Sequence, residues 1–371
     1  MKKLFYLLPL LLLTACEAET QNNLIGYHAG VQPTDTTITI AGKTPLIFSE
    51  KFGKPIRSYC IYSSNNSADF DPKSWELRGS NDGEKWKIVD TREGQSFCAR
   101  FQENTYTVAN PKKYKYYMFN FAAGGQDSIK YSDIRFFYTD IRENWNDFLS
   151  PKIDFRIESL ETEGADIYQK MVQNPEEYIA YHARKVAEIL YFSDKDSIMD
   201  VQKITYVVRD FDGISYKAGG NGRVRVDYST RWIEHAAKES YFSFDKETRG
   251  VLYHELTHGY QYEPHGIGNY GNNKANWACI EGIADAVRAE AGLFDMRTRR
   301  PGGHWLDGYR TTGFFIQWLK TKDTDAIRKF HQSVAHLDPW SFDGAIKYVF
   351  GEEHTIESMW EEYQGFLEAE N

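Results

Sequence analysis

The segment between residues 253 and 259 constrains the chain most, because it reads YHELTHG and contains the pattern HExxH. Side chains four residues apart lie on one face of a helix, so His254 and His258 are predicted to point two imidazoles at one ion. Glu255 follows the first histidine, and a glutamate at this position can take a proton from a metal-activated water. Two helix histidines also occur without a metal, so the pattern needs a third ligand to support a metal site.

A second predicted helix, over residues 277–287, supplies that third ligand. We expect Asn276 to cap its start and Gly292 to follow its end. Glu281 and Asp285 lie four residues apart on one face, and Glu281 would complete a three-ligand zinc site with one position open for water. Asp285 would accept the free ring N–H of a ligand histidine and so fix the orientation of that ring.

The spacing of the two motifs resembles a known class of metallopeptidases. HExxH is followed by ExxxD, with 22 residues between His258 and Glu281, and this pattern resembles that of gluzincins. The resemblance implies one catalytic zinc ion bound by His254, His258 and Glu281, with Glu255 as the general base. His265 is the alternative third ligand, because metzincins place a third histidine after HExxH. It falls one residue late for that motif, and we expect it at the rim of the cleft.

The first residues carry a targeting signal. Lys2 and Lys3 precede an apolar run, and the sequence Leu-Thr-Ala-Cys ending at Cys16 resembles a bacterial lipobox. We therefore predict a lipoprotein signal peptide over residues 1–15 and a polar tether over residues 16–22. The resemblance implies export to the bacterial cell envelope, with the membrane contacted only through a lipid anchor on Cys16. An ordinary secretory signal, which also means export, is the alternative.

Residues 23–140 contain short strand-like runs separated by Gly, Asn, Asp and Pro, which is typical of a β-sandwich. Within them, residues 63–66 and 71–86 resemble the discoidin-like (coagulation factor type C) galactose-binding fold. The resemblance implies a jelly-roll sandwich and a carbohydrate ligand. Trp75 and Trp86 are predicted to lie in its core.

Residues 141–151 are the predicted linker to a second domain, residues 152–371, in which strand-like and helix-like segments alternate. The sequence WLDGY at residues 305–309, together with the HExxH and ExxxD motifs, resembles the basic secretory protein family of plant and bacterial proteins. The resemblance implies a zinc peptidase domain and a peptide or glycoprotein substrate. The predicted fold is therefore an N-terminal all-β jelly-roll sandwich followed by an α+β zincin-like metallopeptidase domain.

Two further roles are assigned within the second domain. Peptide hydrolysis requires a hydrogen-bond donor to the developing oxyanion. Tyr309 is the first candidate and His304 the second, because both fall in the WLDGY region.

Residues 223–228 alternate apolar and polar side chains with a period of two, which predicts a strand. That strand is either the sheet edge that binds the substrate backbone or an ordinary inner strand.

The chain has 53 acidic and 44 basic residues and a net charge of -9, which argues against nucleic acid as the main partner. After Cys16, an odd number of cysteines remains, so a fully paired disulfide framework is excluded. Cys60 and Cys98 fall in one predicted domain, and their pairing is left open. Cys279 is predicted to be a packed core thiol.

The function predicted from these features is zinc-dependent peptide hydrolysis by an exported lipoprotein with an accessory glycan-targeting domain. The alternative is a surface glycan- or protein-binding lipoprotein whose second domain is catalytically silent. A glycoside hydrolase would instead need a carboxylate pair about 5 to 10 Å apart.

Overall fold

The structure is a computed structural model that describes residues 13–14, 35–41, 44–50, 53–122, 126–140 and 144–370. It divides into two compact units, one containing Pro33–Glu143 and the other Asn144–Asn371. Apart from Leu13–Thr14, the predicted signal peptide, Cys16 and the tether lie outside the described residues. Among the residues that are described, no helix combines the length and the apolar character needed to cross a bilayer.

The first unit is a β-sandwich, in agreement with the prediction of an all-β N-terminal domain. One sheet has the strand order β1-β3-β8-β5-β6 and the other has the order β2-β9-β4-β7. The strands are Leu13–Thr14 (β1), Ile38–Ala41 (β2), Leu46–Ser49 (β3), Ser58–Ser63 (β4), Trp75–Ser80 (β5), Lys87–Arg92 (β6), Glu103–Thr107 (β7), Tyr116–Phe121 (β8) and Ser128–Phe137 (β9). Neighbouring strands pair antiparallel, except that β1 is parallel to β3.

Aromatic residues of both sheets fill the core of this sandwich. Trp75 is 2% exposed, and its indole N–H donates to Tyr59 Oη at 2.9 Å, which satisfies its one polar group. Trp86, by contrast, is only half-buried, and its indole N–H donates to the Gly83 carbonyl. It lies at the end of the turn that precedes β6 and is not part of a strand. The prediction of a core position is confirmed for Trp75 and wrong for Trp86.

The cysteine pairing left open by the sequence has a clear answer in the structure. Cys60 is a free, buried thiol of the first unit, so it forms no disulfide with Cys98, which is buried in the same unit. Cys279 is a free, fully buried thiol in the second unit, as expected for a core residue.

The second unit combines a four-stranded sheet with helices, which confirms the predicted α+β class. The strand order is β10-β11-β13-β12, with β12 antiparallel at one edge and the other three strands parallel. The strands are Lys152–Ile157 (β10), Lys203–Arg209 (β11), Ser215–Gly220 (β12) and Arg223–Ser229 (β13). The helices are Glu163–Met171 (α1), Pro175–Leu190 (α2), Thr230–Glu239 (α3), Tyr241–Tyr260 (α4), Lys274–Glu290 (α5), Tyr309–Trp318 (α6), Ala326–His336 (α7), Phe342–Phe350 (α8) and Ile356–Glu370 (α9).

The structure decides which strand forms the edge of this sheet. The strand predicted at residues 223–228, β13, lies between β11 and β12 and is an inner strand. The edge strand beside β13 is β12, and β10 forms the other edge of the sheet. Gly219 has φ +92°, and a Cβ there would come within 2.3 Å of the Arg223 carbonyl oxygen. Only glycine therefore permits this hairpin between β12 and β13.

Candidate metal centre and cleft

Helix α4 carries both predicted metal-binding histidines near its C-terminal end. The helix begins after Ser240, whose side chain accepts a hydrogen bond from the Ser243 amide at 3.0 Å. Leu252 and Leu256 are completely buried, and each contributes about 1.5–3 kcal/mol to stability through burial. These contacts fix the rotation of the helix, so that a histidine on each of its last two turns faces the same cleft.

These two histidines are the first two members of the candidate metal centre. His254 and His258 have ring centroids 4.8 Å apart, and their Nε2 atoms are separated by 3.2 Å. Two imidazole nitrogens so close together can share a proton or bind one cation between them.

Helix α5 supplies the third member of the centre. Its N-cap is Asn273, three residues before the predicted Asn276, and its side chain accepts from two backbone amides. Asn276 is instead a buried residue of the first turn, and it donates to the Gly268 carbonyl at 3.3 Å. Gly292 follows the end of the helix with φ +70°, as predicted for a residue beyond a C-terminus.

Glu281 of α5 points at both histidines. Its Oε2 is 3.1 Å from His254 Nε2 and 3.8 Å from His258 Nε2. Among the residues that the structure describes, His254, His258 and Glu281 form the one group of His, Cys, Asp or Glu side chains with metal-type spacing, and their ligand atoms lie within 4.8 Å of one another. His265 is exposed outside this group, and its carbonyl accepts a hydrogen bond from the Trp340 amide.

A ring of polar side chains orients these three residues. Asp285, one turn beyond Glu281, lies 2.7 Å from His254 Nδ1, the contact expected from the ExxxD motif. The Gln261 amide lies 2.9 Å from His258 Nδ1, and Tyr270 Oη donates to Glu281 Oε1 at 2.7 Å. Neither Gln261 nor Tyr270 is predicted from the sequence as a site residue. Gln261 follows His258 by three residues, which is a weak signal, and Tyr270 reaches the site from a loop that carries no motif.

Glu255 faces the same cleft from the turn that carries His254. It is 5% exposed, and its Oε1 accepts a hydrogen bond of 2.7 Å from Ser215 Oγ of the edge strand β12. Burial raises the pKa of Glu255 above its usual range. The carboxyl group is therefore a better proton acceptor than an exposed glutamate.

The charges of the centre are strongly coupled. Burial lowers the pKa of His254, but the carboxylates of Asp285 and Glu281 outweigh it and raise that pKa to about 10. Burial and the neighbouring His254 charge lower the pKa of His258 to about 3. Burial raises the pKa of Glu281, yet the interaction with His254 and the adjacent charges bring it below its usual range. Glu281 Oε2, which faces both Nε2 atoms, is buried and has no hydrogen-bond partner among the described residues.

Tyr309 lies over the histidines at the start of α6. Its ring stacks on His254 with centroids 6.0 Å apart, and it meets Trp277 edge-on at 5.7 Å. The residue has φ +40°, a conformation that is costly for a tyrosine and that concentrates at functional sites. The preceding Gly308 is needed, because a Cβ there would come within 2.6 Å of the Trp277 ring.

The second candidate donor is not brought to this site. His304 accepts a hydrogen bond from the Leu306 amide at its Nδ1, and its ring stacks on Trp305 with centroids 3.8 Å apart. Its ring is thus engaged in packing the loop ahead of α6, and His304 is not among the described residues that line the cleft. His304 and Tyr309 are close in sequence, but their rings do not lie in the same site.

The centre opens into a cleft of about 580 Å³. Its walls come from β12, α4, the loop after α4, α5 and the start of α6. The lining includes Ser215 and Lys217 of β12, Glu255 of α4, Tyr270 of the loop and Tyr309 of α6. The cleft therefore runs past the edge of the sheet, where an extended chain can pair with unpaired backbone groups.

Fold and centre together define an α+β protein with two histidines and a glutamate gathered beside a sheet edge. Residues 150–363, more than half of the chain, match the BSP family, which is described as a peptidase of plants and bacteria. The chain belongs to this family. The matched region contains α4, α5 and every residue named above as lining the cleft.

A short segment of the chain is similar to a curated protein that is named as an amidase. It is 40% identical over 55 residues to a peptide-N(4)-(N-acetyl-beta-glucosaminyl)asparagine amidase from Arabidopsis thaliana. The match covers 15% of this chain and 8% of that protein, so the chain spans only a small part of its relative. Both this relative and the family are described as hydrolases.

Part of the chain is also similar to solved structures of sugar-binding and type C domains. An F5/8 type C domain from Bacteroides fragilis is 11% identical, with a TM-score of 0.26, over 29% of this chain and 75% of that one. A CBM32 domain of a family 31 glycoside hydrolase from Clostridium perfringens is 15% identical, with a TM-score of 0.24, over 32% and 91% of the two chains. These similarities are too distant to indicate a ligand.

Proposed function

We propose that the second unit is a zinc-dependent peptidase that cleaves peptide bonds in its cleft. The observation that carries the proposal is the convergence of His254, His258 and Glu281 beside the buried base Glu255. Two imidazoles and one carboxylate are a donor set of catalytic zinc sites. The residues fit such an ion, because the buried Glu281 Oε2 has no hydrogen-bond partner among the described residues and lies 3.1 and 3.8 Å from the two imidazole Nε2 atoms, where a cation would satisfy it.

A bound zinc ion would supply a Lewis acid that activates water and polarises the scissile carbonyl. Glu255 takes a proton from the attacking water and passes it to the leaving amine. Its raised pKa suits both steps, since the group must first accept and then release that proton near neutral pH. Ser215 holds one carboxylate oxygen of Glu255, which leaves the other directed to the reaction.

The remaining residues orient the ligands. Asp285 accepts the Nδ1–H of His254 and thereby keeps Nε2 turned toward Glu281. Gln261 contacts the Nδ1 side of His258 at 2.9 Å through its side-chain amide and restrains that ring. Tyr270 engages Oε1 of Glu281, so that Oε2 remains the oxygen that faces the histidines.

Substrate binding and oxyanion stabilisation use opposite walls of the cleft in this proposal. The edge strand β12 has unpaired backbone groups, and an extended peptide would bind there by strand addition. Tyr309 is the proposed donor to the oxyanion, because its ring stacks on His254 and the residue lines the cleft. Tyr309 is 47% exposed, as a residue that contacts substrate requires.

The first unit and the N-terminal residues add two further proposals. We propose that the protein is exported and anchored to the cell envelope through Cys16, as the lipobox indicates. The β-sandwich would then act as an accessory domain that directs the peptidase to glycans or glycoproteins. A catalytically silent second unit is the alternative, but the complete set of ligands, base and orienting residues favours activity.

The proposal is tested with purified protein, zinc and a mixed peptide library. We expect about one zinc per chain and peptide cleavage that is lost on chelation and restored by zinc. Glu255→Gln should retain the zinc without cleavage. Failure to bind zinc at neutral pH, or full activity of the metal-stripped protein, would overturn the proposal.

A further inference from the structure

The edge strand β12 presents a second cleft-facing side chain beyond Ser215. Side chains two residues apart lie on one face of a strand, so Lys217 lies on the same face as Ser215. In the hairpin, Lys217 pairs with Val226 and Ser215 pairs with Tyr228, and both partners are completely buried. This is the face that packs against the helices, and Lys217 therefore points into the cleft beside α4 and not toward the outer face of the sheet.

Lys217 is a cation without a partner in the part of the chain that the structure describes. It makes no hydrogen bond or ion pair there, and it is the one lysine or arginine among the described residues that line the cleft. On the opposite face of the same sheet, Arg209 and Arg225 both pair with Asp227. These two arginines of the outer face thus have a carboxylate partner, whereas Lys217 in the cleft has none among the described residues.

The charge of Lys217 acts near the reacting end of the cleft. Lys217 lines the same cleft as Glu255 and His258, and it is two positions along β12 from Ser215, which contacts Glu255 at 2.7 Å. The side chain is half-buried, so a charge beside it is screened less than at an open surface. An anionic group on a bound substrate would therefore gain more from Lys217 than from a fully exposed lysine.

We propose that Lys217 determines specificity by binding a carboxylate of the peptide substrate. The proposal rests on the peptidase function proposed above and names the class of substrate, an acidic peptide. A residue rises about 3.3 Å along a strand, so Lys217 is roughly two residues from the position of Ser215 and Glu255. A substrate paired with β12 would therefore carry its carboxylate about two residues from the scissile bond.

The carboxylate has two chemical sources. It belongs either to an Asp or Glu side chain within the peptide or to the free C-terminus of a short peptide. Both would form the same ion pair with the ammonium group, and they differ in whether the protein cleaves within a chain or removes its last residues.

The experiment compares matched peptides that differ only in this charge. In one series, both ends of the peptide are blocked, and a single Glu or Gln is placed in turn at each of the three positions on either side of the scissile bond. A second series has either a free or an amidated C-terminus. We expect the zinc-loaded protein to prefer the carboxylate at one position by about fivefold in kcat/KM, the scale of one ion pair. The series that shows the preference identifies the source.

Variants at Lys217 separate charge from packing. Lys217→Met keeps the apolar stem and should abolish the preference for the carboxylate, whereas Lys217→Arg should retain that preference. Lys217→Glu should favour the peptide with Lys at that position. Lys238→Met, on the exposed part of α3, is the matched control and should retain the preference of the parent protein.

A binding measurement distinguishes failure of this proposal from failure of the peptidase function. The same peptides are titrated calorimetrically into Glu255→Gln protein, with and without Lys217→Met. A carboxylate preference of about fivefold that Lys217→Met removes supports the role of Lys217, even if no peptide is cleaved. Equal preference in both proteins, or no preference in either series, overturns it. Absence of cleavage with this binding pattern intact would overturn only the peptidase function.

Discussion

Ser215 Oγ donates a hydrogen bond of 2.7 Å to Glu255 Oε1, and this contact joins the edge strand of the sheet to the helix that carries HExxH. The proposed base and the proposed substrate-binding edge are therefore held in one register. A peptide that pairs with β12 would be placed against Glu255 by the same strand that orients the carboxylate. The relationship suggests experiments that separate the role of the base from the role of the strand.

Glu255→Gln should reduce kcat by about 10²–10⁴-fold, because the amide cannot accept the proton of the attacking water. Zinc content should remain near one per chain, since the three ligands are unchanged. Ser215→Ala should lower kcat by a smaller factor, because it frees the carboxylate without removing it. Both are measured by peptide turnover and metal analysis on folded protein. Equal turnover by Glu255→Gln and the parent would exclude Glu255 as the base.

The third ligand is tested by comparing Glu281→Ala with His265→Ala. Glu281 is buried beside both histidines, whereas His265 is exposed outside the cluster. We expect Glu281→Ala to weaken zinc binding by at least about tenfold, a loss that even changes around the ligands can cause. His265→Ala should bind zinc like the parent. Competition with a chelator at one pH gives both affinities, and the opposite ranking would refute the proposed ligand set.

Tyr309→Phe removes the proposed oxyanion donor and keeps the ring that stacks on His254. We expect kcat to fall by about 10²–10³-fold with little change in zinc affinity, because the lost hydrogen bond forms mainly in the transition state. His304→Gln is the control, since its ring packs on Trp305 away from the cleft. Steady-state kinetics on one peptide check both variants. A comparable loss in both would point to a disturbed loop instead of a lost donor.

Asp227 should make stability depend on pH. Burial raises its pKa, but hydrogen bonds from Arg225 and Arg209 outweigh this and hold it below its usual range. Because the folded-state pKa lies below the unfolded value of about 3.9, the carboxylate stabilises the fold fully above about pH 4. That contribution is lost as the pH falls through the folded-state pKa. Asp227→Asn should therefore lower the free energy of unfolding by about 2 kcal/mol at pH 7 and by much less at pH 3.

The control for this prediction is Asp210→Asn. Asp210 pairs with Arg231 at an exposed site, so the substitution should have little effect on the free energy of unfolding at pH 7. Urea unfolding at the two pH values gives all the free energies. A penalty for Asp227→Asn that stays constant between pH 7 and pH 3 would contradict the pH dependence.

Cys16→Ser tests the proposed anchor. The substitution should move the protein from the membrane fraction to the soluble fraction, because acyl chains on this residue are the anchor that the sequence predicts. Fractionation after a high-salt wash, with immunodetection, measures the distribution. Retention of the variant in the membrane fraction would require another means of attachment.

The motifs on α4 and α5 could be interpreted from the sequence because both depend on helical spacing alone. His254 and His258 share a face by virtue of a four-residue interval, and so do Glu281 and Asp285. The strand pattern of the sandwich and the α+β class of the second unit could also be predicted, since both follow from local periodicity. Trp86 and Asn276 were assigned wrongly because their positions depend on where a turn or a helix begins, which local patterns locate poorly.

The amino-acid sequence by itself determined which residues are candidates for the chemistry and that two helices present them. Only the tertiary structure decided that β12 is the sheet edge beside the cleft, that Ser215 and Lys217 face the cleft, and that Tyr270 and Gln261 contact Glu281 and His258. The physical reason is that these contacts join residues from separate elements. Strand order and the path of a loop depend on how whole elements pack, because the pairing of β12 with β13 and the docking of the loop after α4 supply interactions that no local pattern encodes.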